Sequence, residues 1–565
     1  MDRKQAVRTA LGMEEPDLVL KNARIVDVLG GGIYWGDVAI RDGVIAGIGE
    51  YSAARTEDLG GRYLAPGLIN AHCHVESSMA TPQVYAMEEL RWGVTTLVTD
   101  PHEIANVAGE EGIRFMLDAS AGLPVNYYVQ VPSCVPSTPF EHAGAVLTAD
   151  RLKPFLEEPR VLGLGEMMNY PGVTACDPEV LGKLELFSGR VIDGHAPGSS
   201  GKGLQAYRAA GILTDHESTS YAEALEKLRA GMAVLVREGS ASKNLRDILT
   251  GVLRDRVCTR NMAFCTDDKH LADIRREGTI RQNLRLAVSL GMNPVEAVQM
   301  ATVNAARIYR LESLGAVAVG YKADLVVFED LEQFPVWAVY KDGARVGLEG
   351  SLPGSGSLDR AEDRVFHSVH VAPLDEASFA LPPREQYPVI RILPGQIVTQ
   401  RGTVAAGALA RELASGRLRK IAVVERHHAT GHVGVGLVEG YGLGHGAVGT
   451  TVAHDSHNMI LVGDNDGDLL AAAKELARVQ GGYTIVEDGK VLGTLPLPVA
   501  GLMSLLPAVE LIPALEQMLA LARAQGVREG IDPFITLSFL ALPVIPELRL
   551  TDLGMFDVDA FALME

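Results

Sequence analysis

The chain is 565 residues long, with a formal net charge of −20 and 47% hydrophobic but only 5% aromatic residues. At roughly 150 residues per domain, that length predicts two to four units rather than one hydrophobic core. The acidic balance excludes a nucleic-acid backbone or an anionic membrane surface as the natural partner, since both are repelled. Cys73, Cys134, Cys176, Cys258 and Cys265 are scattered and form no CxxC pair. That excludes a disulfide framework and a thiolate zinc site, and predicts a reducing compartment. The first residues hold no apolar h-region, and the longest apolar run, 534–546, is interrupted by Thr536, Ser538 and Pro543. A cytoplasmic protein without membrane spans is expected.

Residues 17–50 alternate apolar and polar in short runs, with a hairpin signal at Asp42-Gly43. The same texture returns at 322–346, again with an Asp-Gly turn at Asp342-Gly343. Residues 1–62 and 312–350 are therefore expected to be two parts of one composite β domain, interrupted by a long insertion.

The insertion, 63–311, repeats a unit of short apolar run, polar end and helix-like stretch. The runs are 67–72, 94–100, 125–131, 161–165, 191–194, 211–214, 232–236 and 262–265, with helical patterns such as 104–117 and 221–230 between them. Eight such units predict a (β/α)8 barrel, an α/β fold whose chemistry sits at the C-terminal ends of its strands. Those ends carry His72 and His74, Asp100 and His102, Ser133, Glu166, His195, His216, Arg237 and Glu238, and Asp267 and Asp268. Strand alternation turns His72 and His74 to one side and Cys73 to the other, so the pair can grip a metal from a rigid edge.

After Val346, the stretch GLEGSLPGSGSLDR reads as a linker. Residues 365–565 are expected to form an additional α/β domain, with strands at 420–425, 434–439 and 459–463 and a helix at 468–480. It holds His427, His428, His432, His445, His454 and His457. The dense His454-Asp455-Ser456-His457 cluster is expected to close over the barrel mouth or to bind a further ion.

Familiar short motifs do not explain the pattern. His102-Glu103-Ile104-Ala105-Asn106 approaches HExxH, but Asn106 stands where the second ligand is needed. His74-Val75-Glu76 matches the HxE of cytidine-type deaminases, yet no PCxxC follows. Gly444–Gly449 fits GxGxxG but follows glycines rather than a strand.

HxH after the first strand, a carboxylate after the fourth, histidines after the fifth and sixth, and an aspartate after the eighth together resemble the amidohydrolase superfamily. The stretches NAHCHVESSM, TDPHEIANV, GLGEMMNYPGV, DGHAPG, TDHES, REGSASKNL, CTDD and HDSHN are similar to those of its bacterial adenine deaminases. This resemblance implies a TIM-like barrel flanked by a composite β-sandwich, with two divalent metals at the mouth. His72, His74 and Asp267 would hold one, His195 and His216 the other, and Glu166 would bridge them. It implies hydrolysis of adenine to hypoxanthine and ammonia by a metal-bridging hydroxide, as in purine salvage. Asp267 would then shuttle a proton and Glu76 would protonate the ring.

Glu76, His102, Glu217, Arg237, Glu238, Ser240 and Asp268 are the candidate substrate contacts. The all-nitrogen and oxygen donor set, with the resemblance, favours Mn2+ first, with Fe2+ or Zn2+ as alternatives. Large enzymes of this kind are expected to be symmetric homo-oligomers. The competing expectations are an amidohydrolase of a cyclic amide or N-acetyl substrate, and a non-catalytic metal-binding protein.

Overall fold

A computed structural model describes residues 2–347 and 363–564, apart from 241, 395 and 397. Apart from Gly347, the linker expected at 347–360 lies outside the described residues. The two flanking β segments do form one sheet. Its order is Ala344–Arg345, Val336–Lys341, Leu325–Phe328, Tyr63–Pro66, Leu18–Asp27, Gly32–Arg41, Val44–Ile48, with Thr56–Asp58 paired beside Leu18–Asp27. The sheet curls so that its Val44–Ile48 edge meets the segment leading into Leu325–Phe328: Ile45 N–H donates to Tyr321 O at 2.9 Å and Ala323 N–H to Gly43 O at 2.8 Å. Leu20, Ile25, Ile40, Ile45, Leu64 and Leu325 fill the inside. Both Asp-Gly turns take two consecutive positive φ angles, 48° and 73° at Asp42-Gly43 and 48° and 74° at Asp342-Gly343. That is the geometry which twists a two-residue hairpin correctly and which Asp-Gly tolerates.

Each of the eight expected runs overlaps a strand, the sixth, 211–214, only at Thr214: the strands are Leu68–His74, Val94–Thr99, Asn126–Val131, Val161–Met167, Val191–Gly194, Thr214–Asp215, Ala233–Arg237 and Met262–Cys265. Their pairings are parallel. Leu213 N–H joins the fifth and sixth strands by donating to Ile192 O at 2.8 Å. Asp267–Asp268, just past the eighth strand, pairs with Cys73 and His74 of the first and so closes the barrel. Both strand faces are buried, which explains the continuous apolar runs. Ile69, Ala71, Val98, Leu235 and Ala263 pack inside over Tyr309, while Leu97, Val234 and Phe264 pack outward against the helical shell.

Simple alternation from Ile69 and Ala71 would point Cys73 inward and both histidines outward. A register irregularity between Asn70 and Cys73 reverses that parity. Cys73 joins the outer shell with Sγ toward Val98 O, and His72 and His74 face the mouth.

The C-terminal region is built on a second eight-stranded sheet, in the order Thr399–Ala405, Gln386–Ile392, Val433–Glu439, Leu418–Val424, Met459–Gly463, Ala447–Thr450, Gly482–Glu487, Lys490–Pro496. Its neighbours run antiparallel except where Gln386–Ile392 meets Val433–Glu439. Asp466–Arg478 covers one face, with Leu469, Ala472 and Leu476 buried. Ala508–Ala524 and Ile535–Leu540 pack on the other, which also meets Met79 and Ala80 of the barrel. The sequence between strands Ala447–Thr450 and Met459–Gly463 carries His454 and His457 to that junction. Arg426 is fully buried there and donates to the carbonyls of His457 and Ala500 and to Ser368 Oγ, which pins the turn in place.

Candidate metal centre

The end of the first strand brings His72 and His74 together with their Nε2 atoms 3.1 Å apart. Asp267 Oδ1 lies 3.1 Å from His74 Nε2 and 3.7 Å from His72 Nε2. Asp267 reaches this position with φ at 58°, a left-handed conformation that costs a non-glycine residue about 1–3 kcal/mol. Backbone strain is thus held where the side chain must turn into the mouth.

Glu166, at the end of the fourth strand, is the hub. Its Oε2 lies 2.8 Å from His195 Nδ1 and 3.1 Å from His216 Nε2. Its Oε1 lies 3.4 Å from His74 Nε2 and 3.3 Å from His102 Nδ1. Asp100 supports both halves: its Oδ2 accepts Glu166 N–H at 2.8 Å and its backbone carbonyl accepts His74 Nδ1–H, also at 2.8 Å. The proton of neutral His74 is thereby fixed on Nδ1, and the Nε2 lone pair faces Glu166 and Asp267.

The electrostatics favour positive charge. Burial disfavours charge on His216, yet the Glu166 carboxylate lifts it to about 9. Burial likewise opposes charge on His74, and Asp267 and Glu166 overcome it. Glu166 itself, although buried, is held well below the usual carboxylate range by His216 and His195. His72 behaves oppositely, pushed down to about 3 by burial and by His216 stacked 4.0 Å away.

Beside this cluster, between the barrel and the C-terminal region, lies a pocket that Glu103 and Asp268 border but none of the six candidate ligands does. Glu76, Ser77, Met79, Glu103, Asp268 and His270 line the barrel side; Val452, His454, His457, Tyr483, Ser538 and Phe539 line the C-terminal side. Glu76 Oε1 accepts Ile104 N–H at 3.2 Å, while its buried Oε2 makes no hydrogen bond among the described residues. Burial lifts this carboxyl to about 7. Asp268 accepts a hydrogen bond from Ser77.

Several expected substrate contacts are committed elsewhere. Arg237 pairs with Glu217 and, at 2.7 Å, with Asp267 Oδ2, so it links both carboxylates at the edge of the histidine–carboxylate cluster. Ser240 donates to Asp273 at 2.5 Å and accepts His270 N–H, tying a loop together. Glu238 accepts Leu245 N–H at 3.4 Å at the start of a helix. Asp455 is buried and does not line the cavity, unlike its neighbours His454 and His457.

Glu103 was hidden by the failed HExxH comparison, although it follows the strand-end His102 directly. It accepts from His454 Nδ1 at 2.7 Å and from His457, and lies 3.4 Å from His102 Nε2.

Residues 63–346 match the amidohydrolase family, and residues 396–562 match the adenine deaminase C-terminal domain. "Adenine deaminase 2" of Carboxydothermus hydrogenoformans is 48% identical, over 99% of this chain and 99% of its own length. The adenine deaminase of Desulfitobacterium hafniense is 45% identical over 98% and 97%, and that of Nitratidesulfovibrio vulgaris (strain DP4) 48% over 98% and 97%. The chain belongs to the adenine deaminase family of amidohydrolases.

Amidohydrolases use divalent metals, and the donor set at this mouth fits them. His72, His74 and Asp267 form one group of ligand atoms mutually within 4.8 Å, and His72, Glu166 and His216 form another. An imidazole lone pair at His74 and carboxylates at both ends suit hard or borderline cations. Among the described residues, no helix is long and apolar enough to cross a membrane.

Proposed function

We propose that this protein deaminates adenine hydrolytically to hypoxanthine and ammonia. The observation that carries the reading is its kinship with adenine deaminases over the full chain, including the C-terminal region whose His454 and His457 line the pocket shared with the barrel's Glu76, Glu103 and Asp268.

His72, His74 and Asp267 would hold one cation, His195 and His216 a second, with Glu166 between them. Mn2+ is favoured and Fe2+ is the alternative, in a donor set of nitrogen and oxygen. Bound there, the cations supply a water ionised at neutral pH and stabilise charge as it develops.

The chain's own groups then manage protons. Water adds across the C6=N1 bond of adenine; its proton passes to Asp267, and the carboxyl group of Glu76 protonates N1. Asp267 returns its proton to the exocyclic nitrogen, the C6–N bond breaks and ammonia leaves, while the C6 hydroxyl becomes the carbonyl by giving its proton back to the Glu76 carboxylate. Arg237 steadies Asp267 through its Oδ2, leaving Oδ1 to face the mouth. Glu76 is suited to ring contact because it lines the pocket and its buried Oε2 makes no hydrogen bond among the described residues. The C-terminal wall, with Phe539 stacked on His454 at 5.2 Å, would cover the purine and exclude bulk water.

Incubating the Mn2+-loaded protein with adenine should produce equimolar hypoxanthine and ammonia. Turnover of hydantoin or dihydroorotate with inertness toward adenine would overturn the reading.

A further inference from the structure

His102 is buried between two carboxylates of the barrel, Glu166 on the fourth strand and Glu103, which the C-terminal histidines His454 and His457 contact from the other side. Its ring packs edge-on against His74 at 4.6 Å. One nitrogen, Nε2, faces Glu103 Oε1 at 3.4 Å. The other, Nδ1, lies 3.3 Å from Glu166 Oε1 and 3.9 Å from Asp100 Oδ1, and makes no hydrogen bond among the described residues. An enclosed nitrogen that points at carboxylate oxygens without bonding to them has the placement of a ligand atom.

The tautomers follow from the far side of Glu103. Ala453 donates its backbone N–H to His457 Nδ1 at 3.1 Å. His457 Nδ1 is therefore an acceptor, and in the neutral ring the proton sits on Nε2, the atom that meets Glu103 Oε2. Glu103, His454 and His457 lie close enough to suggest a cation site. However, His457 offers that position an N–H and not a lone pair, so the trio is a hydrogen-bonded set. Glu103 receives His457 on Oε2 and His454 on Oε1, and stands as a fixed carboxylate toward His102 Nε2. A neutral His102 that gives its Nε2–H to Glu103 presents the Nδ1 lone pair beside Glu166 Oε1 and His74 Nε2, which lie mutually within 4.8 Å with it.

We propose that His102 is a further metal ligand beside His74 and Glu166, and that the C-terminal region orients it through His457 and Glu103. His454, His457 and Glu103 are positioning residues in this arrangement, of the carboxylate–histidine–metal kind. The proposal rests on the metal centre and not on the identity of the substrate, so its test reads the metal directly.

The experiment uses the full chain loaded with Mn2+, its metal content per chain, and the rate of release to excess EDTA. His102→Phe keeps a ring against His74 but removes the lone pair. It should lower metal content or speed release at least about tenfold. His457→Leu should speed release roughly tenfold, and His457→Gln, which keeps an N–H near the Nε2 position, should stay within about threefold of the parent. Unchanged content and release in a His102→Phe protein with the parent circular dichroism would overturn the ligand assignment. Equal effects of His457→Leu and His457→Gln would overturn the orienting role. If His102→Phe does not fold, the Co2+-substituted His457 pair decides. An absorption spectrum altered by His457→Leu and restored by His457→Gln supports the proposal, and identical spectra in all three proteins overturn it.

Discussion

Glu166 and Glu103 are both buried glutamates ringed by imidazoles, yet they have different partners and different chemistry. Glu166 meets His74, whose proton is drawn away by the Asp100 carbonyl, so a lone pair faces the carboxylate. Glu103 meets His457, whose lone pair is occupied by the Ala453 amide, so an N–H faces the carboxylate. The first arrangement calls for a cation, while the second is already complete. Residue types and distances alone do not separate them; the hydrogen bond on the remote ring nitrogen does.

The contrast can be broken most severely at Glu166. Glu166→Gln should lose the second metal and reduce kcat/KM by more than the roughly 100-fold typical of a supporting residue; a variant with two metals per chain and near-parent activity would refute the hub. Asp267→Asn comes next, with kcat expected to fall about 10³-fold from lost proton transfer, read by steady-state kinetics on metal-replete protein. Glu103→Gln should cost less, about 10- to 100-fold in metal affinity, because the amide still offers an oxygen to one histidine. Arg426→Met leaves the His457 and Ala500 carbonyls unpaired and should remove about 3 kcal/mol of stability in a urea titration. Ser240→Ala lies at the small end. Its hydroxyl ties only Asp273 and the His270 amide, so kcat and KM should stay within about twofold, and a larger loss would return Ser240 to the substrate.

The barrel was legible because each strand is buried on both faces and ends abruptly in a polar residue, so Val161–Met167 and Met262–Cys265 stand out as apolar runs closed by Glu166 and Asp267. The parity of His72 and His74 was legible relative to each other and to Cys73. Which side faces the mouth was not, since it depends on an irregularity at residues 70–73 that appears only when the neighbouring strand is in place. Arg237, Glu217 and Ser240 looked available because tertiary folding brings Arg237 to Glu217 and Asp267, and Asp273 to Ser240, while Glu238 caps the nearby helix at Leu245. Glu103 was obscured for a similar reason: its histidines lie in another region of the chain, and sequence spacing carries no record of that meeting.

The curled sheet that joins Tyr63–Pro66 to Leu325–Phe328 also has a consequence in time. On the ribosome, Tyr63–Pro66 leaves the tunnel while its partner is about 260 residues behind, a wait of roughly 13 to 50 s at ordinary synthesis rates. Throughout that interval an apolar strand edge stays open to other chains. Biogenesis of this protein is therefore expected to depend on a chaperone that shields the edge until residue 328 has emerged.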